Sequence, residues 1–272
     1  GISAGGFSQD SQANLVAGGG AGAAIDSDTC FNILLGCNAG KSLNEGDHNI
    51  FLGCYAGESV TSGGCNIFFG PKAGCSLTSG CHNIFFGQSS NRCRTSGNNN
   101  ISFGNFSALR AESGGYNISI GLGARITATT GDDSVAIGRY TLRYVTGNCN
   151  IGIGMCAGSG DSGGSSGTFN VAIGRYTGQL FTTGTANVSL GLNAARCIDT
   201  GSCNIALGSV AMGVGAVTGT HNIALGSCAG RYITSATNNV ISGELAAGLC
   251  TVTGSHNFIS GSCAASKLTS GF

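Results

Sequence analysis

Apolar residues come in short bursts along this chain, and the bursts return at a near-constant interval. In "CNIFFGPKAGCSLTSGCHNIFFG", residues 65–87, the pentapeptide "NIFFG" occurs twice, 17 residues apart. The general form is Asn, then Ile or Val, a variable residue, an apolar residue and Gly. The Asn falls at Asn32, Asn49, Asn66, Asn83, Asn100, Asn117, Asn150, Asn170, Asn187, Asn204, Asn222, Asn239 and Asn257, with Ser134 taking its place once. A looser copy, "NLVAG", begins at Asn14, and most intervals are 17, with 16, 18 and 20 as exceptions. Self-similarity at a short fixed period marks a solenoid or an array.

With the Asn as position 1, the consensus reads N-I-x-L-G-x-x-A-G-x-x-x-T-S-G-x-x, and most of the 50 glycines sit at positions 5, 9 and 15. A glycine costs about 1 kcal/mol in a helix interior, so three in each repeat exclude helix. A single long strand is excluded because an odd period would turn every side chain to the opposite face at the next repeat. Each unit must hold turns that reset this parity. The expected unit is one coil: a short strand, a turn at Gly, a second extended piece and a T-S-G turn. The expected fold is all-β, a parallel β-solenoid (β-roll) of about 14–15 coils with a 17-residue repeat. An irregular N-terminal entry with one or two degenerate coils is expected over 1–31. The repeat solenoid is expected over 32–272, open at its C-terminal end.

Positions 2 and 4 share one face of the strand, and positions 1 and 3 the other. Position 2 is apolar throughout, and position 4 is apolar until Ser242 and Ser260. These two columns, the small residue at position 8 and the residue at position 12 are the expected core. Two or three such side chains stabilise a coil by about 1.5–3 kcal/mol each, against about 1–2 kcal/mol for every backbone residue ordered. A lone coil therefore cannot stand, and coils must stack at about 4.8 Å. Stacking turns the Asn column into a ladder of hydrogen-bonded amides. Position 3 is then expected to face outward, where Leu34, Phe51, Phe68 and Phe85 would form an apolar stripe of the kind soluble monomers rarely expose. Such a stripe implies a chain–chain interface. The alternative is that position 3 turns inward in these coils.

Composition narrows the partners. Twelve basic and twelve acidic residues cancel, leaving no basic field to displace counterions from nucleic acid. No apolar run reaches the length of a membrane span. The opening "GISAGGFSQD" has neither an initiator Met nor a leader, which suggests a processed chain or a piece of a longer one. "GISAG" at 1–5 fits the pentapeptide with Gly in place of Asn, so end-to-end stacking of copies would keep an approximate register. Fourteen cysteines without a CxxC argue against a zinc ribbon. They read as free thiols acting as small apolar residues, although Cys37 and Cys54 share position 6 in adjacent coils, at a spacing compatible with a bridge.

Candidate chemistry is sparse. His48, Cys65 and His82 share position 17 in consecutive coils, where imidazole and thiolate can hold a soft metal. The same column carries Tyr116, Asp133 and Phe169, which fits a turn better than a ligand set. "GIGMCAG" at 152–158 matches a dinucleotide fingerprint only as a by-product of the repeat, since no helix follows. "IGRYT" at 137–141 and 173–177 offers Tyr140 and Tyr176 beside Arg as a sugar contact. No nucleophile, base and orienting group converge. The expectation is no enzyme, no catalytic residue, no cofactor and no metal.

"SVAIG" at 134–138, "NVAIG" at 170–174 and "NIALG" at 204–208 and 222–226 resemble the heads of trimeric autotransporter adhesins. The longer consensus is more similar to repeats of bacteriophage, notably cyanophage, tail-fibre and structural proteins, over roughly 14–271. These resemblances imply a left-handed β-roll in a side-by-side homotrimer, part of a virion tail fibre that serves host attachment through a surface receptor or glycan. The alternative they imply is a cell-surface or secreted adhesin or filament subunit assembling end to end. "NNVISG" at 238–243 and "HNFISG" at 256–261 also resemble grass ice-binding proteins, but the Thr residues here fall at one turn column rather than on a flat face.

Overall fold

The computed structural model describes residues 9–267 and 269. The pentapeptide copy expected at 1–5 lies outside the described residues. The protein is an all-β parallel β-solenoid, and among the described residues fifteen three-residue strands each occupy positions 2–4 of a repeat. The chain divides into two compact units, 1–123 and 124–272. The first runs from β1 (Leu15–Ala17) and β2 (Ile33–Leu35) to β7 (Ile118–Ile120), and the second from β8 (Val135–Ile137) to β15 (Phe258–Ser260). Within the expected N-terminal entry, β1 pairs with β2 as a coil of the same kind.

Like positions pair with like in each unit. Ile50 lies beside Ile67 and Phe51 beside Phe68 in the first, and Val171 beside Val188 in the second. In the second unit the opposite wall is marked by parallel bridges from position 12 to the next, longer coil, joining Val145 to Ser165, Ile198 to Val217 and Ile233 to Val252.

The turns use left-handed backbone. Position 7 adopts it in Tyr55 (φ 60°) and Lys72 (φ 59°), and position 17 in His48 (φ 58°), Cys65 (φ 58°) and His82 (φ 60°). Asn, Asp and His tolerate this region best among residues with a Cβ. That preference accounts for the four histidines at position 17 and for Asn99, Asp133 and Asn238 in the same column. Position 5 is more demanding: a Cβ on Gly36 (φ 137°) would sit 2.6 Å from the Gly53 carbonyl carbon of the next coil.

Side-chain parity differs from expectation. Positions 1 and 3 point into the coil, and positions 2 and 4 point out. Leu34, Phe51, Phe68 and Phe85 are fully buried, at 0% exposure, so they are core residues and not an interface stripe. Their flanking strand residues are only partly buried or exposed. The reason is the Asn at position 1. It is buried, with its amide hydrogen-bonded to the neighbouring Asn and to a turn carbonyl, and position 3 follows it inward.

The interior is filled by trading volume between columns. Large residues at position 3 face Gly at position 9 in Phe51 with Gly57 and Phe68 with Gly74. Where position 3 shrinks to Ala136 or Ala206, position 9 grows to Leu142 or Met212, both buried. At Ala172 and Gly178 the space is taken by Phe181 from position 12. The Phe51, Phe68 and Phe85 rings stack at 4.7 Å between centroids. A Cβ on Gly57 would lie 2.6 Å from the Phe51 ring at φ 59°. Gly57→Ala is therefore expected to destabilise by about 1–3 kcal/mol, read from urea unfolding, with part of the loss recovered by adding Phe51→Leu.

Candidate self-association face

The Asn ladder fixes which face of each strand is left outside. At Asn66, the backbone N–H and Nδ2 both donate to Asn49 Oδ1, at 3.0 and 3.1 Å. Nδ2 also donates to Gly80 O at 2.8 Å. Asn66 Oδ1 accepts from the Asn83 backbone N–H and Nδ2, each at 3.0 Å. Both amide hydrogens and both lone pairs are thus used. The same rungs join Asn14, Asn32, Asn49, Asn83, Asn100 and Asn117 in the first unit. In the second they join Asn170, Asn187, Asn204, Asn222, Asn239 and Asn257. At Ser134 the rung thins: its Oγ accepts from the Asn150 backbone N–H at 3.2 Å, while Asn150 Nδ2 turns to Gly147 O and Gly167 O. A saturated buried amide has nothing left for a ligand, so this column is structural.

The outer face is what the ladder leaves. In the first unit it carries Ile50 with Leu52, Ile67 with Phe69, Ile84 with Phe86 and Ile101 with Phe103. Phe69 is 51% and Phe103 is 40% exposed, and the Phe69, Phe86 and Phe103 rings stack at 5.3 and 4.8 Å. In the second unit the same two positions expose Ile137, Ile153, Leu190 and Phe258, the last at 77%. Two apolar residues on every strand up to Ile223–Leu225, and one on each of the last two, make a face of the kind that marks protein–protein contact. Sequence reasoning took these residues for core. The missed signal was the in-register Asn itself, whose ladder lies buried inside the coil and carries position 3 inward with it.

Two buried arginines also escaped notice. Arg94 fills position 12, its Nε donating to Asn91 Oδ1 at 2.9 Å and its Nη1 to Ser96 O and Gly114 O at 3.1 and 2.6 Å. Arg125 fills position 9, and its Nη2 donates to Thr130 O at 3.1 Å. Burial pushes the Arg125 guanidinium down to about 10, with nearby Asp132 opposing the shift. Both cap turn carbonyls from inside.

The remaining candidates are not brought together as sites. His48 stacks on Phe31 at 5.0 Å. Among the described residues no three His, Cys, Asp or Glu side chains gather as metal ligands. All fourteen cysteines are free thiols. The Tyr140 and Tyr176 rings are each faced by an arginine, Arg143 at 5.1 Å and Arg175 at 4.8 Å. A cleft of about 190 Å³ in the second unit is lined by Asp161, Leu180, Thr182, Cys197, Asp199 and Ala216, small beside the 300–1,000 Å³ of ordinary ligand pockets. Among the described residues no helix is long and apolar enough to cross a membrane. The class of the protein is a parallel β-solenoid with an apolar outer sheet face. No protein-family model, curated protein or solved structure matches the chain.

Proposed function

We propose that this protein is a structural shaft element of a virion tail fibre, non-enzymatic, built from identical solenoids lying side by side as a homotrimer. It serves host attachment by holding a receptor- or glycan-binding tip away from the particle. The observation that carries this reading is the outer sheet face, apolar at position 2 throughout and at position 4 up to Leu225. A stack of three-residue strands is thin, and lateral association covers the face while stiffening the stack. The phage assignment rests on the resemblance of the repeat, and a surface-adhesin role rests on the shorter V-A-I-G copies at 134–138 and 170–174.

Sedimentation of the unmodified chain is expected to give about three times its 26.8 kDa mass. Ile50→Lys, Phe69→Lys and Phe86→Lys together should give the single-chain mass with an unchanged circular dichroism spectrum. An unmodified chain that sediments as one copy at every concentration overturns the reading.

A further inference from the structure

Of the fourteen cysteines, Cys37 and Cys54 alone stand at the same position of consecutive coils, position 6. They lie in the turns that follow the strands Ile33–Leu35 and Ile50–Leu52. Those strands are parallel and in register, with Leu35 beside Leu52. Backbone hydrogen bonds hold the two turns together on either side of the pair. The Gly53 N–H donates to Leu35 O at 2.8 Å before it, and the Tyr55 N–H donates to Cys37 O at 2.7 Å after it. Neighbouring strands lie about 4.8 Å apart, inside the window of about 4.4–6.8 Å that a disulfide spans between its Cα atoms.

The two thiols face each other, hydrogen-bonded in the reduced chain. Partial burial, and then Cys37 itself, push the Cys54 thiol up, while the Lys72 ammonium opposes them. Cys37 is exposed and Cys54 half-buried, so a reagent in solution reaches Cys37 first. Other cysteines meet different groups. Cys75 donates to Arg92 O at 3.6 Å, and Cys228 and Cys263 accept from the Ser227 and Ser262 hydroxyls at 3.9 and 3.8 Å. Cys65 has His48 and His82 as its column neighbours.

We propose that Cys37 and Cys54 are a modification site, at which a small-molecule disulfide oxidises the pair to a bridge that staples consecutive coils. The bridge forms within one chain and needs no second copy. In the first step Cys37 gives up its proton and its Sγ attacks one sulfur of the reagent. The S–S bond of the reagent breaks, and one small thiol leaves with that proton. In the second step Cys54 loses its proton and its Sγ attacks Cys37 Sγ, expelling the second small thiol, which takes the proton away. Two protein thiols are oxidised, and one disulfide is reduced to two thiols. The bridged residues are 17 apart in sequence. Joining them restricts the unfolded chain more than the folded one, where they are already adjacent.

The test is incubation of the full chain with oxidised glutathione, followed by intact mass, peptide mapping and urea unfolding. The mass should fall by the two thiol hydrogens, with the peptides of Cys37 and Cys54 joined. The urea midpoint should rise and return when dithiothreitol is added. Cys54→Ser should halt the reaction with glutathione held on Cys37. Cys37→Ser should give neither the bridge nor the rise in midpoint, in a chain whose circular dichroism is unchanged. An unmodified chain that stays reduced at both residues, or that keeps glutathione on Cys37, overturns the proposal. A bridge that leaves the urea midpoint where it was overturns its role as a staple.

Discussion

Asn66→Ala is expected to cost several kcal/mol and to melt the coils around it. The change removes the acceptor of the Asn83 backbone N–H and Nδ2. It also strips Asn49 Oδ1 of the Nδ2 donor and Gly80 O of its partner. Each buried polar group left unpaired costs about 1–3 kcal/mol, so about 3–6 kcal/mol is expected in total. Asn66→Asp should be as damaging at neutral pH, since a carboxylate accepts but cannot donate. Asn66→Ser should be milder, because Ser134 already serves as a thinned rung in the native ladder. Native-state hydrogen exchange reads the effect coil by coil, and uniform protection across Asn66→Ala would contradict the role given to the amide.

Phe68→Ala and Phe69→Ala are expected to act on different properties, although the residues are neighbours. Phe68 is wholly enclosed between Phe51 and Phe85, so its truncation should cost about 3–5 kcal/mol. Phe69 is half exposed, and its truncation should leave the single chain nearly as stable while weakening association. Gly74 faces the Phe68 ring, so the space that truncation opens lies beside it. Gly74→Leu should recover part of the Phe68→Ala loss, since Leu142 and Met212 occupy that position at φ 46° beside a small position 3. Equal stability losses for the two alanine variants would undo the inside and outside assignment.

The period, the strand positions and the absence of helix were legible because Gly and Asn recur in register. The Asn column was legible as a ladder for the same reason. The parity of the strand was not. In "NIFFG" positions 2, 3 and 4 are all apolar, so hydrophobicity gives no contrast between faces. The deciding facts were the partners a buried amide demands and the exchange of volume between positions 3 and 9, which emerges only when coils are compared. The candidate interface therefore shifted by one residue, from Phe68 to Phe69. The histidine column looked like chemistry because left-handed turn positions favour the residue type that metals also favour. The interior arginines carried no sequence signal: Arg94 falls in the irregular position-12 column, and Arg125 stands where the consensus has Gly.

The most direct measurement is an electron cryomicroscopy reconstruction of the assembled protein. The account predicts Phe69, Phe86 and Phe103 turned toward a neighbouring chain, with Phe51, Phe68 and Phe85 enclosed by their own coils. Outer sheet faces left in solvent, with copies joined elsewhere or not at all, would contradict it.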